Sequence, residues 1–199
     1  FFNNSNGDFP MSTLSVDTIQ GKTTAGTVAM PAGAVLQVVQ GVTTTASSES
    51  VAAHNLSSVV VSATITPKFA SSKILMTGQV NGTASSNLHA FWIIIQRDST
   101  NIGQGTDGGS RRLCHSGLPQ FLGSSDNNNG AGNGAEALGH GTINFLDSPN
   151  TTSSTTYNVR VAHNSGGAQS FHLNKTDNDG NNTDRPRSIT TLTLMEIAG

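Results

Sequence analysis

The side chains best suited to binding a metal ion lie in one polar segment, Asp177–Asp184. Its carboxylate and amide oxygens occur at a density typical of calcium loops. An EF-hand loop, however, needs glycine at its sixth position and glutamate at its twelfth, whereas Gly180 is fourth here and the twelfth residue is not acidic. The segment therefore predicts an Asn/Asp/Gly turn. An irregular calcium site at Asp177, Asp179 and Asp184 is the alternative, and no other cofactor is expected.

The single cysteine, Cys114, precedes His115 and follows Arg111 and Arg112. A catalytic thiolate needs a base within hydrogen-bond reach of its sulfur. Adjacent residues of an extended chain point to opposite sides, so this imidazole is not expected to activate this thiol. We interpret Cys114 as an unreactive thiol in or beside a loop, and a lone cysteine excludes an intrachain disulfide.

Six histidines are scattered along the chain, and no two have a metal-ligand spacing such as His-x-His. His89 and His172 lie in predicted strands, where a threefold axis would bring one side chain from each subunit to a shared metal. Hydrogen-bonded or surface histidines are the favoured alternative. No metal site is therefore predicted.

Acidic residues in the predicted strands are too few for catalysis by two carboxylates. A glycosidase needs two convergent acids, and Glu196 in the last predicted strand has no evident partner. The sequence also lacks the P-loop pattern and the Gly-x-Ser-x-Gly nucleophile elbow. We therefore predict that the protein is not an enzyme, and a surface glycan hydrolase is the least favoured function.

The composition excludes two further classes of protein. Charged residues make up 11% of the 199 residues, against about 25% in typical soluble domains, and the net charge is -2. Because no basic face with interleaved aromatic residues is visible, nucleic-acid binding is not expected. No apolar run approaches the roughly 20 residues that span a bilayer. Small neutral polar side chains instead suggest an extracellular shell or fibre.

The elements that position these residues read as β-strands, rich in β-branched and aromatic residues and separated by turn residues. Eight strands are predicted, at 34–42, 58–66, 73–80, 88–97, 141–146, 155–162, 169–173 and 189–197. Two long connections, 98–118 and 123–139, have little to bury. We predict an all-β fold in which residues 34–199 form a jelly-roll-type β-sandwich.

Residues 1–33 are predicted to form an extended N-terminal arm that attaches to a neighbouring protein. Their apolar positions are isolated and cannot build a core, and Pro31-Ala-Gly33 marks the entry to the sandwich. Either residues 1–10 are an upstream or linker segment, or the chain is part of a longer polypeptide. The arm's contacts are expected from Leu14, Val16, Ile19, Val28 and Met30.

One predicted strand is apolar on both of its faces, through the consecutive residues Phe91, Trp92, Ile93, Ile94 and Ile95. One face can fill the sandwich, and the other needs a second cover, such as a neighbouring subunit. We therefore predict a homotrimer, which would also supply stability that a disulfide-free extracellular particle must gain elsewhere.

Three parts of the chain share a pattern with known proteins: Ser12–Gly21 running into Pro31–Val39, then Ile65–Leu75 followed by Ile93–Gly103, and the ending Leu192–Ile197. Together they resemble small tail-fibre-like virion proteins of marine tailed phages. The resemblance covers most of the chain outside the long loops and consists of strand patterns. It implies a trimeric jelly-roll domain of the tumour-necrosis-factor type and a location on the outer face of the virion.

Three functions are compatible with these expectations. The first is a phage fibre or adhesin, whose arm binds other virion proteins and whose loops bind a host-surface glycan. The ligand loops would then act through Arg111, Arg112, His115, Phe121 and Asn128. The second is a capsid decoration protein, cementing the shell or forming a head fibre, whose arm clamps capsid subunits. The third is the glycan hydrolase.

Overall fold

The protein is described here by a computed structural model, which covers residues 30–84, 91–106, 108–118, 138–163 and 166–199. These residues form strands, turns and irregular connections, without a helix among them, and the chain divides between Pro31 and Ala32 into two units. The strands are β1 (Val35–Thr43), β2 (Ser47–Val51), β3 (Val61–Ile65), β4 (Lys73–Ala84), β5 (Trp92–Arg97), β6 (Thr100–Ile102), β7 (Ser116–Gly117), β8 (Gly139–Asp147), β9 (Thr155–Ala162), β10 (Gln169–Leu173) and β11 (Thr190–Ile197).

The strands form two antiparallel sheets. The six-stranded sheet has the order β1-β11-β4-β10-β2, with β8 on the other edge of β4. The five-stranded sheet has the order β3-β9-β5-β6, with β7 also paired to β5. The first strand and the last strand of this region are therefore neighbours, with Val35 opposite Ile197.

The two sheets enclose one hydrophobic core. Alternate residues of each strand point inward, as the twofold repeat of a strand requires. The six-stranded sheet contributes Ile74, Met76 and Leu194, and the five-stranded sheet contributes Ile95 and Val159, all of them buried. The coarse prediction of an all-β fold with facing sheets is thus confirmed for the described residues.

Each of the eight predicted strands coincides with an observed strand, with boundaries shifted by a few residues. The sequence analysis missed β2, because Ser47-Ser-Glu-Ser-Val51 lacks an apolar alternation and pairs through its backbone with β10. It also missed the short strands β6 and β7, which lie within the predicted 98–118 loop. Such short elements carry too few residues for a periodic signal.

The apolar run of β5 is buried within this chain. Phe91, Ile93 and Ile95 belong to the core, as expected. Ile94, on the opposite face of the strand, is only 1% exposed, while Trp92 is half-buried. Ile94 therefore does not need a neighbouring subunit as its cover, and this part of the prediction is corrected. The contact of this strand with a neighbouring subunit stays a prediction.

A buried carboxylate joins three segments at one end of the six-stranded sheet. Glu196 accepts hydrogen bonds from Gln37 Nε2 at 2.6 Å, from Ser72 Oγ at 2.7 Å and from the backbone N–H of Lys68 at 2.7 Å. Burial acts to raise the pKa of Glu196, but these donors outweigh it and the pKa lies below its ordinary value. No partner for Glu196 was predicted from the sequence, because its three hydrogen-bond donors lie far from it along the chain.

Candidate functional site

A polar pocket of about 350 Å³ lies where the segment after β6 approaches the turn after β2. Two of its residues, Arg111 and Arg112, are among those predicted for ligand binding. The pocket is lined by His54, Asn101, Gln104, Ser110, Arg111, Arg112 and Leu113. No carboxylate is among these lining residues, so the pocket concentrates positive charge on a chain whose net charge is -2.

The two guanidinium groups of the pocket differ in how they are held. Arg112 is half-buried and donates from Nη1 to the backbone carbonyl of His54 at 2.6 Å. Arg111 is exposed, and its side chain has no hydrogen bond or ion pair within the described part of the chain. Arg112 thus helps to build the pocket wall, whereas none of the five N–H donors of the Arg111 guanidinium is bonded to a described residue.

Backbone contacts fix the shape of the pocket segment. The N–H of Arg111 donates to the carbonyl of Gly108 at 2.7 Å, which closes a turn around Gly109, a residue with a φ of 55°. Gln104 spans the segment by donating from Nε2 to the carbonyl of Leu113 at 3.2 Å. Glycine adopts positive φ without steric cost. The arginines are therefore presented by a defined turn, which reduces the entropy lost on binding.

His115 is a structural residue that anchors this segment to β8. Its Nε2 accepts from the backbone N–H of Asn144 at 3.3 Å, so its Nδ1 carries the hydrogen and donates to the carbonyl of Gly103 at 2.9 Å. Its ring also meets Phe145 edge-on. His115 was predicted as a ligand-binding residue, but it is not among the residues that line the pocket.

The thiol of Cys114 is half-buried beside the pocket segment. Burial raises its pKa, and the nearby Arg112 only partly opposes that effect. A raised pKa leaves little thiolate at neutral pH. The position of Cys114 is therefore that of an unactivated thiol.

The outer face of the six-stranded sheet carries a row of apolar residues across four strands. Val38 of β1 lies opposite Met195 of β11, which lies opposite Leu75 of β4, which lies opposite Leu146 of β8. Val38 is 57% exposed and Leu146 47% exposed, while the two central residues are half-buried. Large apolar residues in a continuous exposed row mark a contact surface.

The next two rows of the same face are neutral. They comprise Gln40, Thr193, Thr77 and Asn144, then Val42, Thr191, Gln79 and Thr142. Gln40 donates to Thr193 Oγ1 at 2.9 Å, which orders the side chains across the strands. We call these three rows the outer face. No position in them carries a formal charge.

The pocket and the outer face lie on opposite sides of the two sheets. Asn101 of the pocket is the cross-strand partner of Gln96 in β5. The residues on either side of Gln96 in the chain, Ile95 and Arg97, point to the interior, where Arg97 donates a hydrogen bond to Asp147 of β8. Asn101 therefore points outward from the five-stranded sheet, so one side remains free when the other is in contact.

The acidic segment that suggested calcium pairs with basic groups of the chain. Asp177 lies 2.9 Å from His172 Nε2, Asp179 contacts Lys175 and Arg187, and the adjacent Asp184 and Arg185 are 3.8 Å apart. The three predicted carboxylates thus do not converge on one point. No group of three or more metal-ligating side chains occurs within the described ranges.

Ser48, His172 and Asp177 lie in a line that has the residue types of a hydrolase triad. Ser48 Oγ is 2.8 Å from His172 Nδ1. In serine hydrolases the serine faces Nε2 and the acid faces Nδ1, which is the reverse of this arrangement. Ser48 and His172 are direct cross-strand partners of β2 and β10, and this pairing accounts for their contact. We assign the line a structural role.

The other predicted site residues are placed as follows. Phe121 and Asn128 lie outside the described residues, as do Leu14, Val16, Ile19 and Val28 of the arm, and His89. Met30 is described and is 50% exposed. The sequence analysis missed His54, Asn101 and Gln104 as pocket residues, because no local pattern links a turn after β2 to the segment after β6.

Comparisons with known proteins add no relative. The sequence matches no model of a known protein family, and no curated protein matches it. In the described ranges, no helix is long and apolar enough to cross a membrane. The pocket and the outer face are therefore the features of the molecule that bear on its function.

Proposed function

We propose that the protein is a trimeric structural module of a phage virion, of the fibre or adhesin kind, with a jelly-roll fold. The strand pairs support this fold because they are nested: β1 with β11, β3 with β9, β4 with β8 and β5 with β6. A long hairpin rolled into two sheets has this order, and jelly rolls are common in viral shells. The resemblance to virion proteins points the same way.

The observation that carries the proposal is the outer face, and its occupant is a second and third copy of this chain. Where three copies meet around a threefold axis, side chains near that axis lie beside their own duplicates, so a charged side chain there costs free energy. The outer face has an apolar row and no formal charge, so self-association avoids that cost. Burying the exposed side chains of Val38 and Leu146 in an interface would add hydrophobic stabilisation.

The pocket supports a role in adhesion. It lies on the side that remains accessible when the outer face is covered, and it offers amide, hydroxyl and guanidinium donors suited to a saccharide. In this proposal the arm at 1–33 attaches the trimer to other virion proteins, and the pocket contacts a host-surface glycan. A capsid decoration protein is the second candidate, which the outer face favours equally because both functions include self-association.

The mass of the purified protein in solution tests the proposal. Light scattering coupled to size exclusion is expected to give three times the chain mass of 20.5 kDa. A stable monomer at working concentration would refute the trimeric module. Binding of the purified trimer to host cells, lost in Arg111→Ala, would favour the adhesin, whereas no binding with assembly on the capsid would favour decoration.

A further inference from the structure

We propose that the pocket binds an acidic saccharide, a sugar residue that carries a carboxylate, through Arg111. This inference rests on the proposed adhesin function and names the ligand class of that same pocket. It starts from the Arg111 guanidinium, which has no anionic partner within the described residues although the chain contains more acidic than basic side chains.

The geometry of the pocket favours a carboxylate over a neutral sugar. A guanidinium presents paired N–H donors that match the two oxygens of a carboxylate, and such charge-assisted pairs are about twice as strong as neutral hydrogen bonds. Arg112, held by the carbonyl of His54, adds a second positive charge at a fixed position. None of the described acidic side chains is among the lining residues, so no carboxylate in the described part of the chain repels an anionic ligand at the pocket wall.

The neutral groups of the pocket favour a sugar over a bare anion. Ser110 offers a hydroxyl, and Gln104 keeps its carbonyl oxygen free because its Nε2 is bonded to Leu113. Asn101 accepts from Gln96 Nε2 at 3.0 Å through its carbonyl, which leaves its amide N–H₂ available. These donors and acceptors suit the hydroxyls of a pyranose ring. Inorganic phosphate has no pyranose ring and would contact fewer of these neutral groups.

The size of the pocket limits the ligand. Its volume of about 350 Å³ is at the lower end of small-ligand pockets, which span about 300–1,000 Å³. One acidic sugar residue therefore fits better than an extended oligosaccharide. Nucleic acid is disfavoured, because polyanion binding needs several phosphate contacts and this chain supplies two arginines here.

Titration with three probes tests the inference: glucuronic acid, glucose and inorganic phosphate, each followed by amide chemical shifts of the pocket residues. We expect saturable shifts with glucuronic acid and at least about tenfold weaker binding of glucose, because glucose lacks the charged hydrogen bond, whose loss costs about 1.4 kcal/mol or more. Binding of phosphate is expected to be weaker as well, because phosphate lacks the ring hydroxyls that suit the neutral groups of the pocket. Equal binding of glucose would overturn the acidic class, and equal binding of phosphate would overturn the saccharide.

Two variants locate the binding. Arg111→Ala is expected to weaken glucuronic acid binding at least about tenfold, whereas Arg187→Ala, which removes the same charge outside the pocket, is expected to leave it unchanged. Equal losses in both would mean a nonspecific charge effect and would overturn the site. The oligomeric state is measured on the same samples. A trimer that binds no acidic sugar refutes only this inference, whereas a monomer that binds it refutes only the trimeric module.

Discussion

The hydroxyl of Tyr157 in β9 donates a hydrogen bond to Asp147 Oδ2 in β8 at 2.7 Å, and so joins the two sheets. Arg97 of β5 approaches the same carboxylate at 2.9 Å. Burial and the Asp147 carboxylate both raise the pKa of Tyr157, so its hydroxyl stays protonated as the donor. This buried pair closes one end of the core with polar contacts where the apolar residues stop.

Replacing Tyr157 with phenylalanine is expected to lower the free energy of unfolding by about 1.5–3 kcal/mol, because a buried carboxylate loses a donor. Urea denaturation measures the change. Thr64→Ala serves as control, since Thr64 and Thr156 form an exposed hydroxyl pair and surface changes usually stay within about 0.5 kcal/mol. A loss in Tyr157→Phe no larger than that of the control would contradict the role given to this bond.

The buried Glu196 predicts an acid-dependent loss of stability. Its pKa in the folded state lies below its ordinary value of about 4.3. The unfolded chain therefore binds more protons in that window, and stability falls as the pH drops from the ordinary value through the lowered one. Denaturation from pH 6 to pH 3 should show this slope, and Glu196→Gln should be less stable at pH 6 with a shallower slope. An unchanged slope would show that other acids dominate.

Charge placed on the outer face should dissociate the assembly. Val38→Lys sets like charges against each other in every copy of a self-association surface, where burial of an unpaired charge is costly. Light scattering is expected to show monomers for this variant. Val59→Lys is the matched control, because Val59 is also an exposed valine at 40% but lies outside the outer face. Trimers in both variants would exclude this surface as the interface.

His115 is expected to hold the pocket segment in place. His115→Ala removes both the contact to Gly103 and the acceptor for the Asn144 N–H. Hydrogen exchange at Asn144 should therefore accelerate, and acidic sugar binding should weaken, because the arginines lose their fixed presentation. The global free energy of unfolding should change less than in Tyr157→Phe. Unchanged exchange at Asn144 would count against the anchoring role.

Cys114 is expected to react slowly with alkylating reagents. Burial raises its pKa, so iodoacetamide at pH 7 should modify it more slowly than a small free thiol. Arg112→Ala should slow the reaction further, because the arginine is the group that lowers the thiol pKa. Mass spectrometry of the time course measures both rates. A faster reaction in Arg112→Ala would mean that the arginine acts mainly by covering the sulfur.

The strands were predictable because a strand with one buried face has apolar residues at every second position. In β3, for example, Val61, Ala63 and Ile65 point inward. β2 was not predictable, since its polar residues are held by the backbone of β10. The burial of Ile94 was also missed. Its cover comes from within the chain, and a single strand carries no signal of what packs on its second face.

The candidate site was predictable only in part. Arg111 and Arg112 stood out as a tight basic pair in a long connection, and loops commonly carry binding residues. His54 joins Arg112 across a sequence separation of 58 residues, which no local spacing records. His115 looked like a ligand by its type, yet its two hydrogen bonds to the backbone give it a structural task.

The pairing of β1 with β11 sets the order in which the domain can form. β11 lies between β1 and β4, and it follows both of them in the chain by more than one hundred residues. During synthesis, β1 and β4 are therefore made before β11, the strand that lies between them. Until β11 is added, Val38 and Leu75 have no neighbour between them. Such distant pairing folds on the slower scale of milliseconds to seconds. A chain cut short before Thr190 would lose the middle of its six-stranded sheet, not merely its last strand.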